Sequence, residues 1–177
     1  MFEIMGPPQS DFLTRSLELT LVNWFQLDLF DLLFVITAVV FNLQITGVYL
    51  AGKQKRLDLV KRFGAVMLSL TLPLAIVYLY YLAVGRATWI TIAFIFIFLY
   101  MFVELLFDFI LKIDFRKEPA LHIPYIILFY IVEFVFIAVA FSINATSGYL
   151  VSISFWILLA ALIYSFWPQM KERFSSQ

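Results

Sequence analysis

Glu133 and Glu104 stand where a carboxylate is expensive. Both lie inside long apolar stretches of this 177-residue chain, and placing an ionisable side chain within a membrane span costs on the order of 3 kcal/mol even on the mildest insertion scales. At ~1.5 Å per residue, Glu133 falls roughly 15 Å into its stretch, the midplane of a hydrocarbon core about 30 Å thick. Glu104 falls nearer one face. Polar groups from other stretches reach the same depths: Asn42 matches Glu133, Thr46 one turn further approaches the level of Glu104, and Pro73 leaves the carbonyl of Ser69 without its helical donor.

No Lys, Arg or His is expected at either depth, so each carboxyl has two courses. Desolvation disfavours its charged form, so it can sit neutral and donate a hydrogen bond to Asn42, Thr46 or the Ser69 carbonyl, holding helices together. Alternatively it stays charged against a water file or a cation, as in a transport site. Glu104, Glu133, Asn42 and Thr46 are therefore the candidate intramembrane polar or ion site.

Other polar residues have plainer readings. Asp108 lies four residues after Glu104 and four before Lys112, a spacing that puts all three on one helical stripe and makes Asp108–Lys112 a local ion pair. Asp28 and Asp31 open the first apolar stretch, where carboxylates cap and complement a helix N-terminus. His122, the single histidine, follows Asp114 and Glu118; with Asp108 they could make only a poor divalent site, and a solvated loop histidine is expected. Lys53, Lys55, Arg56, Lys61 and Arg62 form a basic cluster suited to anionic lipid head groups, at about 1 kcal/mol per residue near the surface. Tyr100, Tyr130 and the phenylalanine-rich stretches read as packing or lipid-facing groups. Asn144-Ala145-Thr146 matches a glycosylation sequon, but its short connection reads as a turn.

The elements that must position these groups follow from composition. The chain is 64% hydrophobic, 19% aromatic and 14% charged, against about 25% charged in a soluble domain. Leu32–Gly52 and Phe63–Gly85 carry no charged side chain. Ala87–Leu111 contains Glu104 and Asp108, Ile123–Ile143 contains Glu133, and Tyr149–Trp167 contains no charge. Each is long enough to cross a bilayer, and uninterrupted runs satisfy their backbones as helices. The fold class expected is an all-α integral membrane protein of five transmembrane helices, with spans at about 32–52, 63–85, 87–111, 123–143 and 149–167. The membrane domain covers residues 28–168, between an extramembrane segment 1–27 and a cytoplasmic tail 169–177.

Residues 10–26 place Leu13, Leu17, Leu21 and Trp24 on one stripe, which suits an interfacial amphipathic helix. Orientation comes from the basic residues. With the loop after the first span inside, ten of the twelve Lys and Arg residues share that side, leaving Arg15 and Arg86 outside; the positive-inside rule then gives an N-out, C-in chain in the cell membrane. Trp24, Tyr80, Tyr81, Trp89 and Tyr149 fall at outer ends, and Tyr49, Tyr125, Tyr164 and Trp167 at inner ones, as interfacial anchors. Pro124 suits the first turn of the fourth span, and Pro168 is expected to end the fifth.

The sequence holds no cysteine, which excludes disulfides and thiolate metal sites. Its net charge of zero gives no reason to expect a nucleic-acid partner. It has no H-E-x-x-H, G-x-S-x-G, Walker or G-x-G-x-x-G motif, so neither catalysis nor a cofactor is expected. The partners expected are the bilayer itself and either a second copy or a larger membrane complex. Small residues four apart at Ala65/Ser69, Ala138/Ser142 and Ala161/Ser165 would allow close helix approach. The functional reading is a non-catalytic structural or accessory component; the alternative is a small transporter or ion-conducting protein using Glu133 and Glu104, with Asn42 as a relay.

Overall fold

The structure, a computed structural model, describes residues 28–111 and 119–175. The interfacial helix expected over 10–26 lies outside them, as do Lys112, Asp114, Arg116, Lys117 and Glu118. The described chain is helical: α1 (Leu29–Lys53), α2 (Leu57–Ser69), α3 (Thr71–Ala83), α4 (Thr88–Glu104) with a π-helical continuation (Leu105–Leu111), α5 (Pro119–Ile143) and α6 (Ala145–Ser175). Five helices are long and apolar enough to cross a membrane, α2 and α3 counting together as one. Large apolar side chains such as Leu79, Phe134, Ile153 and Trp156 face outward, an arrangement that water would oppose and that points to a membrane location.

The second span is broken because of its sequence. Pro73 has no N–H for the carbonyl of Ser69, and the helix interrupts at Leu70, whose N–H turns to Met67 O at 3.1 Å. This span also starts earlier than expected, at Leu57, so Lys61 and Arg62 ride on its first two turns instead of lying in a loop. Likewise α5 begins at Pro119, which brings His122 onto a helix.

Two connections end their helices in the same way. After α3 the N–H of Gly85 donates to Leu82 O at 3.2 Å and that of Arg86 to Tyr81 O at 3.0 Å, a Schellman closure with Gly85 at φ 67°. After α1, Lys55 and Arg56 bond Gly52 O and Ala51 O, each at 3.0 Å, and here a lysine occupies the left-handed position, at φ 56°. The α5–α6 connection is a single residue. Asn144 Oδ1 caps α6 by accepting from Ser147 N at 2.8 Å, and a Cβ at Gly148 would collide with the Phe141 ring, so the hairpin closes only around a glycine. Asn144 is thus occupied as a helix cap within the turn.

The fifth candidate span ends at Trp167, but its helix does not stop at Pro168. Helix α6 continues to Ser175, although Pro168 cannot donate to the carbonyl four residues earlier. That carbonyl belongs to Tyr164, and Lys53 Nζ donates to it at 2.9 Å while sitting 3.1 Å from the centroid of the Tyr164 ring. A lysine from α1 thus replaces the missing N–H, and nearby Ser165 Oγ donates to Tyr49 O at 3.1 Å.

Helix α1 is the hub, touching α2, α3, α5 and α6; half of its apolar window is buried, against 22% for the second span. Its inward stripe of Phe34, Val35, Ala38, Phe41 and Ile45 meets Phe94, Ile97, Phe136 and Leu158 in one continuous core. Phe41 packs edge-on to Tyr100 with centroids 5.9 Å apart, so the core reaches the neighbourhood of Glu104.

Candidate functional site

Asn42, expected at the depth of Glu133, is brought against it in the structure. Asn42 projects from the middle of α1 and Glu133 from the middle of α5, both fully buried at 0% exposure. The Asn42 amide bridges two neighbours: one end lies 2.8 Å from Ser154 Oγ of α6, the other 2.9 and 2.7 Å from the two carboxyl oxygens of Glu133. With its nitrogen toward Glu133 the amide donates to both oxygens and accepts from Ser154. Ser154 Oγ also lies 2.8 Å from Val151 O. Three helices are thereby tied by one polar chain. Thr46 does not join it, since its hydroxyl donates to the Asn42 carbonyl one turn back, at 2.8 Å.

Glu104 is built differently. It is the last α-helical residue of α4, and the backbone beyond it winds as a π-helix through Leu111. The stripe expected from Glu104 through Asp108 to Lys112 presumes α-helical winding. Here the bonds close i→i+5 instead, and Lys112, the partner expected for Asp108, lies outside the described residues. Tyr100 donates to Glu104 Oε1 at 2.9 Å, Tyr125 of α5 also donates to Oε1, and the two phenol oxygens are 2.9 Å apart. Glu104 is only 4% exposed. The Ser69 hydroxyl donates to Val66 O of its own helix, 2.6 Å away.

Beside this triangle lies a cavity of about 400 Å³. Ile45 and Tyr49 of α1, Val60 and Met67 of α2, and Phe129 and Phe166 of α5 and α6 contribute to its walls. Glu104 lines it; Glu133 does not. His122, expected in a solvated loop, lines it too, stacked near Tyr125 with centroids 6.4 Å apart. Its Nδ1 is buried with no hydrogen-bond partner among the described residues. No group of three His, Asp or Glu side chains suited to a metal occurs among the described residues, and Asp114 and Glu118 lie outside them.

A third polar cluster, at the end carrying Gly85, was not anticipated from sequence. Asp28 does cap α1, accepting from Phe30 N at 3.3 Å, and also accepts from Tyr80. Asp31 has a larger task than complementing a helix end. Nη2 of Arg86 donates to both oxygens of its carboxylate, at 2.9 and 2.8 Å, and Tyr81 donates to it at 2.6 Å. Tyr81, read as an interfacial anchor, is 3% exposed and lies under Arg86, 5.0 Å from its guanidinium. The cluster clasps the start of α1 to the α3–α4 turn.

At the opposite end Lys53 is engaged with Tyr164, whereas Lys55, Arg56, Lys61 and Arg62 are exposed and remain available to head groups. Of the small-residue pairs, Ala161 is buried and Ser165 bonds α1, whereas Ala65, Ser69, Ala138 and Ser142 face outward. Sequence reasoning missed Ser154, Tyr100 and Tyr125 as polar partners. Tyr100 could have been found, because it lies one turn before Glu104.

Comparison with known proteins finds no matching family model, no matching curated protein and no matching solved structure.

Proposed function

We propose that this chain is a non-catalytic integral protein of the cell membrane, N-out and C-in, serving as a structural or accessory component that packs with itself or a larger partner. One observation carries the reading: the cavity that Glu104 lines does not reach Glu133. Glu133 is tied to Asn42 and Ser154, whereas Glu104 lines a separate space with Tyr100 and Tyr125. A conduit using both would need them on one polar path. Short connections leave little surface outside the membrane for recognition, so a partner is met mainly within the bilayer. The outward pairs Ala65/Ser69 and Ala138/Ser142 suit close helix approach there.

Mild-detergent extraction followed by native mass spectrometry tests the role. A defined homo-oligomer or a stoichiometric partner is expected. A monomer that carries proton or cation flux in reconstituted vesicles, with the flux abolished by Glu133→Gln, would instead establish the transport reading. The orientation is tested on this cysteine-free chain by introducing Gln54→Cys. An impermeant thiol reagent should fail to label it in intact cells; efficient labelling there reverses the topology.

A further inference from the structure

The cavity and the basic end of the bundle adjoin one another. Around the start of α2, Lys55, Arg56, Lys61 and Arg62 set four cations against one acid, Asp58. The four basic side chains are exposed, and none forms an ion pair among the described residues. Arg56, the N-cap of α2, makes no side-chain capping bond. It stands one turn before Val60, on the stripe that continues through Gly64 and Met67, and those three residues line the cavity.

His122, like Val60, is the fourth residue of a helix that starts at this end. Its Nδ1 is buried, borders the same space and has no hydrogen-bond partner among the described residues. Further in, Met67, Ile126 and Phe129 make the lining apolar, and the wall from Val60 to Met67 runs roughly 10 Å along the helix axis. From the end inward the order is cation, imidazole nitrogen, apolar arm. That is the order in which a phospholipid presents phosphate, glycerol ester and acyl chain. The volume of about 400 Å³ lies near the small end of ligand sites, which run about 300–1,000 Å³, so it suits one chain while the other stays in the bilayer. Glu104, Tyr100 and Tyr125 bond one another, and the lipid needs no contact with them.

We propose that an anionic phospholipid of the leaflet at this end binds here. Its phosphate is held by Arg56 in the field of Lys55, Lys61 and Arg62, an ester oxygen accepts a hydrogen bond from His122 Nδ1, and one acyl chain lies along Val60, Gly64 and Met67. The chain enters past α2, part of the least buried span, where Val60 and Gly64 are only half-buried. A basic patch alone would gather head groups without ordering a chain, and a cavity alone would take a chain whatever its head group. Their adjacency couples the two, whichever side of the membrane this end faces.

The test uses the full chain in phosphatidylcholine nanodiscs containing a small share of phosphatidylglycerol with a diazirine in its acyl chain; phosphatidylcholine with the same labelled chain is the control. Irradiation and peptide mass spectrometry locate the chain. Cross-links concentrated on Met67 and Ile126 are expected, about tenfold more from the anionic probe than from the control. Arg56→Gln should lower them about fivefold, the weight of one basic residue near a membrane surface. Val60→Trp fills the arm from the α2 wall and should abolish them, while the outward Trp156→Leu should not change them. Soluble glycerol phosphate should not compete, which separates a lipid from a free phosphate. Thermal melting shows whether each variant is folded, and the exposed Arg56→Gln decides the matter if Val60→Trp is not. Cross-links spread over outward residues such as Leu79 and Phe134, equal labelling by the two probes, competition by glycerol phosphate, or wild-type labelling of either folded variant overturns the proposal. None of these readouts depends on an oligomer or a protein partner, so the accessory role and the lipid site stand or fall separately.

Discussion

Glu133 and Glu104 are both buried carboxyls of one helical bundle, at 0% and 4% exposure, yet they sit in opposite surroundings. Around Glu133 the protein is closed: an amide faces both oxygens, a serine follows, and Phe136, Val132 and Leu158 are fully buried in the same core. Around Glu104 the protein stops short, leaving a cavity that the carboxyl and two phenols border. Burial therefore does not tell the two carboxyls apart. The volume left beside each does.

The strongest way to break this contrast is to strip Glu133 of its partner. Asn42→Leu leaves a buried carboxyl unsatisfied, and a loss of about 2–3 kcal/mol is expected, toward the upper end for a buried polar group without a partner. Reversible unfolding in bicelles measures it; a loss near zero would mean that water already reaches Glu133.

Removal of the other carboxyl should be milder. In Glu104→Leu the phenols of Tyr100 and Tyr125, already 2.9 Å apart, can bond one another and the cavity can hydrate, so a loss of about 1 kcal/mol is expected. A cost equal to that of Asn42→Leu in the same unfolding assay would erase the distinction.

Accessibility sharpens the comparison further. A cysteine replacing Met67 on the cavity wall should react with a small methanethiosulfonate reagent at least tenfold faster than one replacing Ser154. Comparable rates would place a water-accessible path at the midplane. The smallest effect belongs to Glu133→Gln, which keeps a donor and an acceptor of the same shape. Intramembrane hydrogen bonds average about 0.6 kcal/mol in measured cycles, and the change should not exceed that. Such a small shift beside a large one for Asn42→Leu is the signature of a tie satisfied by shape and hydrogen bonding.

Much of the framework was legible because lipid makes a simple demand. Five apolar stretches of spanning length could be nothing but helices, and depth along each put Asn42 at the level of Glu133 while leaving Thr46 and the Ser69 carbonyl open as other partners. Depth alone could not select Ser154, since the last span carries several serines and only the rotation of α6 decides which one faces α1. The Asp31–Arg86 clasp was hidden by considering each residue at its own helix end; the hairpin that sets them at one level brings them together. Pro168 misled because a proline usually stops a helix, and the rescue comes from Lys53, over a hundred residues away in sequence. The cavity depends on how five helices leave space between them and on π winding after Glu104, neither of which a hydropathy pattern encodes.

The chain from Glu133 to Val151 has a sense of direction. Ser154 carries a single hydroxyl hydrogen and has two acceptors within reach, Val151 O at 2.8 Å and the near end of the Asn42 amide at 2.8 Å. When the amide points its nitrogen at Glu133, its oxygen claims that hydrogen. Were the amide reversed, its nitrogen would donate to the serine, the hydroxyl would turn to Val151, and the Asn42 oxygen would face a carboxyl that satisfies it only by holding a proton. An ionised Glu133 therefore admits only one arrangement of the hydrogens along the row, whereas a protonated one admits both, so the freedom of a hydroxyl on α6 is set from α5 without any backbone moving.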